Sequence, residues 1–315
     1  MKEIGGYLEL DRLIGKEYYP DLIAVNTARN AFVYLCRAKK IEKVFLPYFL
    51  CDSVVNVCER ENIRYDFYHI NADFTPQFSQ RLGNNEWLYL VNYYGQLSAE
   101  QILGYQKKYK NIILDNVQAF FEAPLKGVDT IYSCRKFFGV PDGAYLATDA
   151  ERLCLETDYS MARMKHVLGR YEGTSASDYY QDFKQNDASF KQLPLLSMSK
   201  LTHNLLGAID YHAVISKRES NWVFLHGALA NKNRICLKRP IAPYMYPFYC
   251  GNGMKIKTML AQSKIFVPTL WPNVLSMTGT LEQDYAENIL PLPCDQRYDQ
   301  EDMTRIVEAI LECSN

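Results

Sequence analysis

Two side chains in this sequence have the chemistry of a covalent catalyst. Lys136 stands in YSCRKFFGVPDGAYLAT, between a serine and a glycine-containing turn, with apolar runs on either side. A lysine amine condenses with carbonyl compounds to form a Schiff base. Asp115 closes the apolar run of NIILDNVQAFF, and a carboxylate at the end of a buried strand is costly without a partner. A protonated pyridine nitrogen is one such partner. Gln118, three residues on, is spaced to bond a phenolic oxygen on the same ring. Asp115 alone reads more simply as a capping aspartate at a strand–helix junction, and Lys136 alone as a solvated lysine in a turn. Together they suit pyridoxal 5'-phosphate, whose enzymes pair a Schiff-base lysine with an acid at the ring nitrogen. Lys136 follows Asp115 by 21 residues, about one further strand–helix step.

A phosphorylated cofactor also needs an anion site. Ser133 lies three residues before Lys136 and is a natural phosphate ligand. In VNTARNAF a strand ends at Val25, and Asn26–Thr27 opens a helix. Free N–H groups at a helix start bind phosphate, although Asn and Thr are also favoured there as plain caps. Arg29, in the first turn, adds positive charge or lies on the surface. Gly139 and Gly143 would allow close backbone approach to a bulky ligand.

The elements that must position these residues are legible in outline. DLIAVN, KVFLPYF, YDFYHI, WLYLVNYYG, NIILDN, TIYSC and GAYLAT are strand candidates. ARNAFVYLCRAKK and SVVNVCERENI have helical spacing. SAEQILGYQKKYK is an amphipathic helix entered through Ser98, with Glu100 in its first turn. Strands alternating with helices give βαβ units and a mostly parallel sheet. Ligands gather at the carboxyl ends of such strands, where Asn26–Thr27, Asn92–Gly95 and Asp115 fall. Residues 158–194 are polar, with a long loop and helical pieces expected. LTHNLLGAIDYHAVISKRESNWVFLHGAL reads as long helix, RPIAPYMYPFYC as strand, and GMKIKTMLAQSKI and EDMTRIVEAILEC as helices. Fewer strands here suit a smaller α+β domain.

Bulk properties narrow the function classes. The chain has 315 residues, 48% hydrophobic and 23% charged, with a net charge of −1. That composition is globular and gives no electrostatic footprint for nucleic acid or acidic membranes. No apolar run approaches the roughly 20 residues of a membrane span. The polar N-terminus, MKEIGGYLELDR, is not a signal peptide. Nine scattered cysteines without zinc spacing read as reduced, mostly buried thiols of a cytoplasmic protein. The five histidines, His69, His166, His203, His212 and His226, form no metal or triad spacing.

The motifs together resemble the fold-type I pyridoxal-phosphate enzymes, most nearly the DegT/DnrJ/EryC1/StrS aminotransferases, through most of the chain. NTARNAF is similar to that group's phosphate cup, LPYFLCDSVVN to its proline–aromatic–threonine segment, and VNYYGQ to its strand-end His-x-Tyr-Gly. LDNVQAFF resembles its acid-x-x-Gln motif, and KFFGVPDGAYLAT its lysine and following glycine-rich turn, with Asp142–Gly143–Ala144 in register. IFVPTLWP resembles its small-domain strand, and NILPLPCDQRYDQEDMTRIV its closing segment.

The resemblance implies an α/β large domain, about 15–195, holding a mixed, mostly parallel sheet. It implies a small α+β domain of 196–315 with 1–14. It implies a homodimer, an amino-acid donor, a keto acceptor such as a nucleotide-linked sugar, and a role in polysaccharide biosynthesis. It carries the Schiff-base and proton-transfer roles to Lys136, the ring-nitrogen role to Asp115 and the ring-oxygen role to Gln118. Thr27, Ala28 and Ser133 take the phosphate, with Asn26 beside them and Asn92 at the histidine position.

The departures are specific. SCRKFFG is closer to the Ser-x-His-Lys of cysteine desulfurases, which puts Arg135 at a phosphate-contacting position. The ring-stacking aromatic falls near Cys51, where the nearest aromatics are Tyr48 and Phe49. SMSKLT is the nearest stretch to the segment that reaches a neighbour's phosphate. Two alternatives stand beside transamination. One is a lyase or desulfurase using Cys250 in FYCGNG; the other is a non-catalytic binding protein that keeps the fold.

Overall fold

A computed structural model describes residues 4–173 and 175–313. The outer ends of the expected small domain, 1–3 and 314–315, lie outside the described residues. In chain order the elements are β1 Ile23–Val25, α1 Ala28–Ala38, β2 Lys43–Pro47, α2 Asp52–Glu61, β3 Arg64–Ile70, β4 Pro76–Gln77 and β5 Glu86–Val91. Then follow α3 Ala99–Tyr109, β6 Ile112–Asp115, β7 Asp129–Ser133, β8 Ala144–Ala147, α4 Lys165–Glu172 and α5 Tyr180–Ser189. The remainder comprises α6 Lys200–Gly207, α7 Tyr211–Leu229, β9 Tyr246–Tyr249, α8 Gly253–Gln262, α9 Leu281–Asn288, β10 Ile289–Leu292 and α10 Gln300–Cys313.

Eight strands form one sheet in the order β1-β8-β7-β6-β5-β2-β3-β4. Strands β7, β6, β5, β2 and β3 run parallel. Strand β8 is antiparallel to both neighbours, so β1 again runs with the parallel set. The central strands are buried along their whole length, for example Ile112–Asp115, as expected where helices cover both faces. Local signals fix the helix ends. Thr27 caps α1 by accepting from Asn30 N–H. Ser98 and Gln101 form a reciprocal capping box on α3, and Asn62 closes α2 in the left-handed region.

The C-terminal half departs from expectation twice. The stretch from Lys200 to Leu229 is two helices, not one: α6 ends at Gly207, and Asp210 starts α7 by accepting from Ala213 N–H. IFVPTLWP forms no strand, so the second sheet is only the antiparallel pair β10-β9. Two prolines inside that stretch remove backbone donors a ladder needs. Trp271, Val274 and Tyr285 pack into the core of the large sheet, while β9, β10, α7, α8 and α10 share a core of their own. The eight cysteines with described side chains are all free, five of them buried. No described helix is long and apolar enough to cross a membrane.

Candidate active site

Strands β1, β5, β6 and β7 all end at one edge of the sheet. Ala144 pairs with Val25 on one side and Ser133 on the other. Asp115 pairs with Val91 and Ile131. The register therefore lines up the start of α1, the 142–144 turn, the Ser133–Lys136 turn, Asp115 and Asn92 across the edge. Gly143 joins two of these: its N–H donates to Asn26 O at 2.7 Å, and its carbonyl accepts from Cys134 N–H at 3.1 Å. Its φ of +113° and the nearness of Thr202 and Cys134 require glycine. That need comes from protein packing, not from a ligand. At Gly139 an added Cβ would meet only Val167, at 3.3 Å.

Asp115 is 5% exposed. Its Oδ1 accepts from Val117 N–H and its Oδ2 from the Tyr89 hydroxyl, each at 2.9 Å. Burial pushes its pKa up; the two donors and the nearby Lys136 charge offset this only in part. Among the described residues no hydrogen bond to this carboxylate comes from a cation. Gln118 is buried, and its Oε1 accepts from Tyr94 N–H at 2.8 Å. That bond fixes the side chain and holds Tyr94 in the left-handed region at φ 52°. Asn92 works inside the same loop, donating to Asn116 Oδ1 and accepting from Leu97 N–H.

Lys136 ends a one-turn helix, Cys134–Lys136, that follows β7. It is exposed, with Nζ 5.2 Å from the centre of the Tyr244 ring. It opens onto a cleft of about 920 Å³ whose walls include Arg135, His166, Tyr171, Tyr179 and Arg297. Burial and the Arg135 charge push the His166 pKa down.

Arg135 lies against the Phe190 ring at 3.8 Å and is 3.8 Å from Asp187. Burial lowers its pKa to about 10, with Arg29 and Arg163 adding to the effect. Arg163 pairs with Asp158 at 2.8 Å, and its buried Nε has no hydrogen-bond partner. Nothing in the local sequence singles out Arg163, whose contacts beyond Asp158 come from the distant Asp142 and Phe190. Three guanidinium groups thus gather near Ser133 and the start of α1. Thr27 is buried there, its Oγ1 accepting from Asn30 N–H at 3.1 Å. The preceding N–H groups, including that of Ala28, belong to the turn whose donors a helix leaves unsatisfied. Asn26 serves the frame: it donates to Asp158 Oδ2 and Pro194 O and accepts from Asn30.

Three expected features are used otherwise. Tyr48 stacks on Phe67, and Phe49 packs on Trp271 at 4.2 Å, so both rings are engaged elsewhere. Cys51 is an exposed cap residue of α2. SMSKLT is turned inward: Ser199 caps α6 and, with Thr202, donates to the buried Asp142 carboxylate. Among the described residues no group of histidines, cysteines and carboxylates is arranged to hold a metal.

No family model matches the sequence, and no curated protein does. Solved structures do match. NtdA from Bacillus subtilis, with bound cofactor PMP, is 15% identical, covering 92% of this chain and 72% of that one with a TM-score of 0.67. A DegT DnrJ EryC1 StrS aminotransferase from Brucella abortus is 13% identical, covering 92% and 85% at 0.60. The sugar aminotransferase CalS13 from Micromonospora echinospora is 14% identical, covering 92% and 87% at 0.61. The chain therefore shares the fold of these structures, a mostly parallel sheet between helices with a smaller second sheet.

Proposed function

We propose that the protein is a pyridoxal-phosphate-dependent aminotransferase that moves an amino group from an amino acid to a keto acceptor. The observation that carries this is a complementarity of charge. At one end of the row of strand ends a buried carboxylate, Asp115, has no cation hydrogen-bonded to it. At the other end Arg135, Arg163 and Arg29 gather, with Arg135 3.8 Å from Asp187; Lys136, next to Arg135 in the chain, is near enough for its charge to act on Asp115. A pyridinium phosphate has the opposite charges in the same order. The fold, shared with NtdA solved with bound PMP and with the sugar aminotransferase CalS13, supports the same reading.

When bound, pyridoxal phosphate supplies a carbonyl carbon for amine exchange and a ring that takes up electrons. The chain's own residues do the rest. Asp115 holds the proton on the ring nitrogen, which relieves its own unpaired burial. The amide nitrogen of Gln118, whose oxygen is fixed by Tyr94, is its donor to the ring oxygen. Thr27 and Ala28 at the start of α1, Ser133 and Arg135 hold the phosphate. Asn26 and Asn92 keep the surrounding loops in place. Lys136 Nζ would hold the cofactor and, when free of it, would be the base that takes up and returns a proton.

The cleft beside Lys136, basic and rich in tyrosine, suits an anionic acceptor such as a nucleotide-linked keto-sugar. Tyr159, Met161 and Tyr171 are more than three-quarters exposed, which suits a second copy of the chain and a homodimer. The reading divides the chain into a large domain of about 15–195 and a small one of 196–315 with 1–14. Free cysteines suit a cytoplasmic setting.

The desulfurase alternative loses support at Cys250. That thiol is 8% exposed, and burial pushes its pKa to about 11, the reverse of an activated nucleophile. The proposal is tested by mixing the cofactor-loaded protein with a panel of amino acids and following the visible spectrum. Conversion of the cofactor to its amine form by at least one donor is expected. Bound cofactor that no donor converts would favour the binding-protein alternative.

A further inference from the structure

The buried face of α7 carries Val214, Arg218, Asn221, Trp222, Leu225 and Leu229. Four of these are ordinary core residues; Arg218 and Asn221 are not. Arg218 is 2% exposed, and its hydrogen-bond acceptors among the described residues are all uncharged. Its Nε donates to Gln296 Oε1 at 2.7 Å, Nη1 to the carbonyls of Pro243 at 2.9 Å and Tyr244 at 3.4 Å, and Nη2 to the carbonyl of Phe137 at 3.3 Å. The guanidinium also lies 4.6 Å from the Phe137 ring centre. Gln296 completes the knot, donating from Nε2 to the same Phe137 carbonyl at 2.8 Å. Asn221 holds the turn that carries Gln296, donating to the carbonyls of Asp295 and Tyr298 at 3.2 and 3.0 Å.

A buried guanidinium without a carboxylate in contact is a costly way to fill a core position. Its rigid fork of donors does what no apolar side chain can: it joins separate chain segments in one geometry. The three segments joined here surround the residue whose amine opens onto the cleft. Phe137 follows Lys136 directly; Tyr244 presents its ring to Lys136 Nζ; the 295–297 turn lines the cleft into which Lys136 opens.

We propose that Arg218 and Gln296 are positioning residues for Lys136, clamping the Phe137 carbonyl so that the C-terminal half of the chain sets the direction of the amine. The clamp stands on its own geometry; its chemical purpose rests on the function proposed above.

The test uses the full-length protein and three variants: Arg218→Met, Arg218→Lys and Gln296→Ala. Native-state hydrogen exchange is read on peptides covering 133–140, with β5 and β6 as internal references. Exchange over 133–140 is expected to quicken by about tenfold or more in Arg218→Met and Gln296→Ala, with β5 and β6 unchanged. Arg218→Lys, which keeps the charge and loses the fork, should resemble Arg218→Met. Unchanged exchange over 133–140, or a uniform rise everywhere, would overturn the clamp. If Arg218→Met does not fold, Gln296→Ala decides the matter alone.

A second readout adds pyridoxal phosphate, reduces with borohydride and maps the label. The share on Lys136 should fall about tenfold in the variants, while binding followed by tryptophan fluorescence changes little. An undiminished share on Lys136 would overturn the positioning role even if exchange quickens. A wild-type protein that takes no label would count against the proposed function, and the exchange arm would still decide the clamp.

Discussion

The two ends of the row of strand ends are built in opposite ways. The Asp115 end is made of strand ends close in sequence and space. Asp115, Gln118, Asn92 and Tyr94 are all buried and bonded to one another's loops. The Arg135 end is assembled from distant pieces: α1, the turn after β7, and the Arg163 and Phe190 segments. One end holds a buried carboxylate with no cation hydrogen-bonded to it; the other gathers guanidinium groups, of which Arg163 is paired with Asp158 and Arg135 lies 3.8 Å from Asp187. Each bears an electrostatic cost that a ligand of opposite polarity would relieve, a common exchange of stability for function.

That contrast can be broken from either side. Lys136→Ala should have the largest effect. Turnover in a coupled transaminase assay should drop by roughly 10²–10⁴-fold or more, with the unfolding midpoint nearly unchanged, because the side chain is exposed.

Asp115→Asn should separate function from stability. Activity should fall by about 10²-fold or more, while the cofactor-free protein becomes more stable. The sign follows from the raised pKa. A carboxylate whose folded pKa lies above its ordinary 3.8 destabilises the fold increasingly as pH rises from 3.8 through the folded value. The gain in melting temperature from Asp115→Asn should thus be largest at neutral pH and fade toward pH 4. Thermal melts across that range check it.

Arg135→Ala probes the other end. Affinity for pyridoxal phosphate should weaken by roughly 10–100-fold, one or two charge-assisted hydrogen bonds. Affinity for pyridoxal, which lacks the phosphate, should change little. Titration with both compounds tests this, and equal weakening would argue against a phosphate role.

The smallest effect belongs to a pair outside the site. His203 Nδ1 meets Glu17 Oε1 at 2.7 Å, fastening the N-terminal segment to α6, and Tyr145 donates to the same carboxylate. The Glu17 contact raises the His203 pKa. Burial alone would raise Glu17, but the bonds from His203 and Tyr145 bring it below its ordinary value. The pair's contribution is complete between the ordinary values of 4.5 and 6.5 and is lost as pH rises through the folded His203 value. Being partly exposed, it is worth under about 1 kcal/mol. His203→Ala should lower the melting temperature slightly at pH 6 and hardly at all at pH 9.

Legibility in the sequence follows the same contrast. The Asp115 end was readable because its signals are local: an apolar strand, its terminal carboxylate, a glutamine three residues on. Helix ends at Thr27 and Ser98 were readable for the same reason. Arg163 was not, because it reaches the site from a polar segment without periodicity. Asn26 looked like a ligand at a helix start, yet its amide is committed to Asp158, 132 residues away. The break between α6 and α7 was hidden because apolar residues continue across it, and only Gly207 and Asp210 mark the stop and restart. The Arg218 knot spans 81 residues to Phe137 and leaves no trace in local pattern.

The central claim is that Lys136 is the residue to which the cofactor is joined. The most direct measurement is borohydride reduction of the protein with pyridoxal phosphate, followed by proteolysis and mass spectrometry. The account predicts a visible absorption band that disappears on reduction, with the pyridoxyl mass found on the peptide containing Lys136 and absent in Lys136→Ala. A label spread over surface lysines, or no band with added cofactor, would contradict it.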